Sequence, residues 1–162
     1  DSLTHRVACL EGVPVVHLKK IRDSLPIMPG IQSLLAYLKQ HNWKLAIASG
    51  GFTFFADHLK ARLGLDFAIS NTLAVSENLL TGKVEGEIVN ADVKARTVKQ
   101  LAEKWQIPTS QTVAMGDGAN DLVMMAESAL GVACHGKPLV NEKADVAIRI
   151  GSLHSMLYFL DK

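Results

Sequence analysis

From Ile31 onward the sequence alternates short, nearly continuous apolar runs with stretches of helical period, and this alternation restricts the possible folds more than any other feature. IQSLLAYLKQ reads as a helix, KLAIAS as a buried strand, FTFFADHLKARL as a helix and DFAIS as a short strand. After Pro108 the pattern resumes with strand TVAMG, helix NDLVMMAESA, strand GVAC, a short helix near NEKA, strand VAIRI and a terminal helix over SMLYFL. Strands that are apolar along their whole length need cover on both sides. The pattern therefore predicts an α/β fold, a mostly parallel sheet with helices on both faces.

Three other segments complete the chain. Residues 2–11 and 15–24 read as two short amphipathic helices broken at Gly12 and Pro14, and the turn-forming stretch 26–30 marks a boundary. Residues 1–28 and 29–162 are accordingly expected as separate parts. TLAVS and GKVEGEI read as a small hairpin with LLTG as its turn, and a long helix is expected from about Asp92 to Gln106.

Lys and Arg (17) nearly balance Asp and Glu (16), so no single-sign field points to nucleic acid or an anionic membrane. No apolar run approaches the ~20 residues needed to cross a bilayer, and the first residues lack signal-peptide organisation. Cys9 and Cys134 stand far apart in apolar contexts, which suits reduced core thiols and a cytoplasmic protein. The six histidines form no zinc pattern, and there is no GxxxxGK[ST] or GxGxxG. Phe52, Phe54 and Phe55 fall with Leu59 at helical spacings, as core residues do, rather than as a base-stacking surface.

In a sheet of this kind ligands bind at the carboxyl ends of strands. After TVAM comes Gly116-Asp117-Gly118-Ala119-Asn120-Asp121, two carboxylates and an amide where a strand passes into a helix. Hard oxygen donors there suit Mg²⁺. Helix capping would account for Asn120 or Asp121 but leaves Asp117 unexplained. The strand KLAIA ends in Ser49-Gly50-Gly51, whose hydroxyl and backbone N–H groups could cradle phosphate oxygens; a tight turn capped by Ser49 fits that segment equally well. Lys94 falls in the first turn of the long helix, where the dipole disfavours a cation. Neutralising a bound phosphate would give it a reason to be there. Hydroxyl, cation and metal ligand together describe phosphoryl transfer.

The segments SLTHRVACLEG, LPIMPG, IASGGFTFFADHL, TGKVEGEIVNADVKA and VAMGDGANDLVMMAESALGVACHGKP, with VNEKAD, resemble the haloacid dehalogenase superfamily, and within it the phosphoserine phosphatases. The similarity covers essentially the whole chain. It implies a Rossmann-like core lacking its first strand over 29–162 and the remnant of a helical cap over 1–28. It also implies roles for the matching residues. Ser49 and Gly50 would hold phosphate, and Lys94 would stabilise its charge and the phosphoaspartate. Asp117 would ligate Mg²⁺, Asn120 would contact substrate, and Asp121 would orient Lys94 and the metal-bound water. Arg6 would clamp the carboxylate of L-phosphoserine.

The family's DxDxT motif, source of the attacking aspartate, has no counterpart here, because no two of the nine aspartates are separated by a single residue. The resemblance implies that this motif, part of the cap and an early glutamate precede Asp1. The chain is then expected to be a piece of a longer protein, inactive alone, with unpaired strand edges where a central strand is missing. For the complete enzyme the implied reaction is hydrolysis of L-phosphoserine through an aspartyl phosphate, the last step of serine biosynthesis. Phosphoryl transfer to another small alcohol and a non-catalytic Mg²⁺- and phosphate-binding module are the alternatives, and a homodimer is left open.

Overall fold

The computed structural model describes residues 2–160; Asp1, Asp161 and Lys162 lie outside the described residues. In chain order the elements are α1 (Ser2–Ala8), α2 (Val15–Asp23), α3 (Ile31–Gln40), β1 (Ala46–Phe52), α4 (Thr53–Leu63), β2 (Phe67–Ser76), β3 (Leu79–Glu85), α5 (Ala91–Lys104), β4 (Val113–Gly116), α6 (Leu122–Ala126), β5 (Leu130–Cys134), α7 (Pro138–Lys143), β6 (Val146–Ile148) and α8 (Leu157–Leu160). The fold is α/β. The chain divides into two compact units, residues up to Ile27 with Lys44–Val89, and Met28–Trp43 with the residues from Asn90 onward.

In the first unit β1 pairs parallel to β2, and β2 pairs antiparallel to β3. The β1–β2 register slips in one place. Ala48 lies opposite Ile69 and Phe52 opposite Asn71, so four steps along β1 match two along β2 and residues 49–51 bulge from the ladder. β1 thus runs on through the Ser-Gly-Gly segment, and α4 starts at Thr53 rather than directly after the glycines as the sequence pattern had it. The hairpin also differs from expectation. Its turn is Glu77-Asn78, both at positive φ (51° and 65°), between the paired residues Ser76 and Leu79. A two-residue loop with both central residues left-handed matches the twist of the strands. LLTG lies inside β3, where Gly82 (φ 74°) sits so close to the end of α1 that a Cβ would be 3.2 Å from the Ala8 carbonyl oxygen.

The second unit holds a fully parallel sheet in the order β4-β5-β6, with Val113 opposite Leu130 and Val132 opposite Val146. Residues 131–134 of β5 are all buried, as a strand covered on both faces must be. α5 and α6 pack together, and α7 covers the β5–β6 side. α3 begins at Gly30 (φ 82°), where any Cβ would meet the Ser152 Oγ at 2.6 Å, and its start is tied to the C-terminal segment by Leu153 N–H donating to Pro29 O (3.2 Å). α6 is shorter than the predicted 120–129 because residues 119–121 form a separate 3₁₀ turn.

β1 and β4 are both end strands, paired on one side only among the described residues, and neither AIASGGF nor VAMG contains a charged residue. Two expectations about burial are corrected. Cys9 is exposed rather than a core thiol, because it lies in the turn after α1, where its Sγ donates to His5 O (3.5 Å), whereas Cys134 is buried in β5. Phe52, Phe54 and Phe55 are half-buried. Phe54 instead lines an open cavity of about 370 Å³ under the Arg22 guanidinium, 4.9 Å from its ring centre. Among the described residues no helix is long and apolar enough to cross a membrane.

Candidate functional site

Lys94 and Asp121 form a buried ion pair in the second unit. α5 opens with an N-cap at Asn90, whose side-chain oxygen accepts from Val93 N–H (2.9 Å), and this places Lys94 in the first turn. Its Nζ donates to Asp121 Oδ1 at 2.7 Å, and the two residues are only 5% and 6% exposed. A buried cation near a helix N-terminus is doubly unfavourable, through desolvation and through the dipole, unless a carboxylate faces it.

Asp121 does not cap α6. Its second oxygen, Oδ2, accepts from the backbone N–H groups of Gly118 (3.1 Å) and Asp117 (3.2 Å), so one carboxylate binds Lys94 and shapes the loop at the end of β4. Gly116 is required by space. A Cβ there would lie 2.5 Å from both the Cβ and Oδ2 of Asp121, which is closer than unbonded heavy atoms approach. At Gly118 a Cβ would stand 2.7 Å from Asn120 Oδ1.

Asp117 is held by its backbone, with its carbonyl accepting from Lys137 N–H (3.2 Å), while its side chain is exposed at the end of β4. Its charge is felt in the sheet: burial first, and the Asp117 carboxylate second, push the Cys134 thiol above its ordinary range. Among the described residues no three His, Cys, Asp or Glu side chains gather into a metal-binding group. The Asp117 carboxylate is a hard oxygen donor of the kind that a hard divalent cation takes. Asn120 is exposed on the same loop.

Ser49 and Gly50 lie in the first unit, within the bulge of β1. Ser49 Oγ accepts from Gly51 N–H (3.0 Å), so the hydroxyl folds over its own loop and caps no helix. Arg6, also in this unit, is exposed on α1, with its Nε donating to Ser2 O at 3.3 Å. The structure thus brings Lys94, Asp117, Asn120 and Asp121 together in one unit and shows the local setting of Ser49, Gly50 and Arg6 in the other.

Sequence reasoning missed Asn71. Its side chain is fully buried in β2 and binds the Ser-Gly-Gly bulge: Nδ2 donates to Gly50 O (2.9 Å) and Oδ1 accepts from Val89 N–H (2.8 Å). The available signal was an amide between Ser70 and Thr72 inside the strand-like run FAISNTLAV, at a position where a β-branched residue would suit the strand better.

The model of the haloacid dehalogenase-like hydrolases matches residues 5–126. A phosphoserine phosphatase from Vibrio cholerae is 48% identical over 160 residues, covering 99% of this chain and 49% of that protein. One from Idiomarina loihiensis is 45% identical over 157 residues, covering 97% of this chain and 71% of the relative. The crystal structure of a probable phosphoserine phosphatase from Vibrio cholerae, unliganded, superposes with a TM-score of 0.95 at 48% identity, over 99% of this chain and 50% of that one. The chain spans about half the length of the Vibrio cholerae relatives. It has the Rossmann-like α/β architecture of these proteins, and it belongs to the haloacid dehalogenase-like hydrolase family, on its phosphoserine phosphatase branch.

Proposed function

We propose that this chain carries the phosphate- and metal-holding part of a Mg²⁺-dependent phosphoserine phosphatase, which hydrolyses L-phosphoserine to serine and phosphate through an aspartyl phosphate. The observation that carries this reading is the buried Lys94–Asp121 pair behind the exposed Asp117 carboxylate. An ammonium fixed by a buried carboxylate is suited to stabilising charge on a transferring phosphoryl group without reorganising. Asp121 orients it. The bound cation would offset repulsion between a carboxylate nucleophile and phosphate, with Asp117 as its protein ligand.

Ser49 supplies a hydroxyl donor and the Gly50 amide a second one to phosphate oxygens. Asn120, exposed beside Asp117, faces substrate, and the planar guanidinium of Arg6 suits bidentate recognition of the substrate carboxylate. Residues 1–28 belong to a helical cap and 29–162 to the phosphatase core in this reading. The attacking aspartate is not supplied by any DxDxT motif among the 162 residues. A cytoplasmic setting is supported by two free cysteines, one of them exposed.

Calorimetric titration with L-phosphoserine, run beside an assay for inorganic phosphate, tests the reading. Binding that needs Mg²⁺, with no phosphate released by this chain alone, is the expected result. Binding of equal strength in the presence of a chelator, or to serine as well as to phosphoserine, would count against it. Turnover of phosphoserine by pure chain would show that the nucleophile lies among these residues.

A further inference from the structure

Asn71 is the most deeply buried polar residue among the described residues, at 0% exposed, and both ends of its amide are used. A buried amide is costly unless satisfied, and this one is satisfied by two backbone groups far apart in sequence. One is the carbonyl of Gly50, at 2.9 Å, and the other is the N–H of Val89, at 2.8 Å.

The first of these contacts has a chemical effect. The peptide joining Gly50 to Gly51 is held at both ends, its carbonyl by Asn71 and its N–H by the Ser49 hydroxyl oxygen (3.0 Å). A hydroxyl has one hydrogen and two lone pairs. With a lone pair occupied by Gly51 N–H, the hydrogen of Ser49 is left for an acceptor outside the loop. The peptide plane that fixes this orientation is not set by the strand ladder, because residues 49–51 bulge out of it. Asn71 supplies the missing constraint.

We infer that Asn71 is a positioning residue for phosphate recognition, which locks the Gly50–Gly51 peptide and thereby makes the Ser49 hydroxyl a donor toward phosphate oxygens. This rests on the reading that Ser49 and Gly50 hold phosphate.

Asn71→Asp tests it. Its carboxylate can still accept from Val89 N–H but presents a lone pair to the Gly50 carbonyl. When protonated, its O–H can donate to that carbonyl and restore the clamp. Inorganic phosphate in the presence of Mg²⁺ is the probe, and every affinity is taken relative to the unaltered chain at the same pH. Asn71→Asp should bind about tenfold more weakly near neutral pH, the loss of roughly one hydrogen bond to a polar group. Affinity should return toward that of the unaltered chain as the pH falls and the buried carboxyl protonates. Asn71→Ser, too short to span both partners, should be weak at every pH; should the aspartate variant not fold, the serine variant and the exchange rate of the Gly51 amide decide the same question. A purely structural role would lower the urea midpoint of Asn71→Asp and leave the phosphate affinity of the folded variant equal to that of the unaltered chain at every pH. If Ser49→Ala loses phosphate while Asn71→Asp binds like the unaltered chain throughout, the inference is overturned and the phosphate reading stands. If Ser49→Ala binds as well as the unaltered chain, or if that chain does not bind phosphate, the phosphate reading fails and the inference falls with it.

Discussion

Replacing Asp121 by Asn keeps the shape of the side chain and removes its charge, leaving the Lys94 ammonium buried without a counter-ion. Two contacts are affected. Lys94 loses its partner at 2.7 Å, and the N–H groups of Asp117 and Gly118 can keep their acceptor only if the amide oxygen faces them, which turns the NH₂ toward the lysine. Breaking one side of a buried ion pair costs about 3–5 kcal/mol. That is a large part of the stability of a small domain, about 5–15 kcal/mol in total. Trp43 and Trp105, the only tryptophans, both belong to the unit that contains this pair, so tryptophan fluorescence in urea reports on it directly. With an m-value of about 2 kcal/mol per molar, the midpoint should fall by about 1.5–2.5 M. Asp121→Asn combined with Lys94→Met should recover much of the loss, because no charge is then left buried while the amide oxygen still accepts from the Asp117 and Gly118 N–H groups. A midpoint shift under about 0.5 M for Asp121→Asn would show that Lys94 is not held as an isolated buried charge, and the reasoning would fail.

Gly116→Ala should act on the same site through volume: its Cβ would take the space of Asp121 Cβ and Oδ2, and overpacking of this kind costs about 1–3 kcal/mol in the same urea experiment. Asp117→Asn should weaken Mg²⁺ binding by at least about tenfold in calorimetry, since loss even of a group supporting a ligand costs about 10–100-fold. Cys134 provides a pH test. Its thiol is raised in the folded chain, by burial first and by Asp117 second, so the unfolded chain ionises first as the solution becomes alkaline. Stability from this group is therefore full below the ordinary thiol range and is lost as pH rises through the raised value in the folded chain. Urea midpoints across that range should decline less steeply for Cys134→Ala than for the unaltered chain, and equal slopes would contradict the assignment.

The elements that the sequence made legible are those whose character is set locally. IQSLLAYLKQ became α3 unchanged because its apolar residues recur at helical spacing and its start is marked by Gly30. Lys94 and Asp121 could each be singled out from their place at a helix start or strand end, though their contact 27 residues apart is a tertiary fact. The misread segments were decided by pairing. LLTG carries turn residues, yet the partner strand fixes the turn at Glu77-Asn78 and turns Gly82 into a point of close approach to α1. The bulge at 49–51 follows from a register slip against β2, which no reading of β1 alone reveals. Asn71 was hidden for a related reason: the meaning of a polar residue inside a strand depends on which backbone groups come within its reach.

The uncharged end strands have a practical consequence. β3 carries Lys83 and Glu85, charges of the kind that discourage a foreign strand from docking, but β1, β4 and the three-residue β6 carry none. Each is paired on one side only among the described residues, and the backbone groups of a strand paired on one side can be read by another extended polypeptide, including another molecule of the same kind. Concentrated solutions should therefore form oligomers built by strand addition, and a lysine placed at Ala46, which is exposed, should keep the material dispersed.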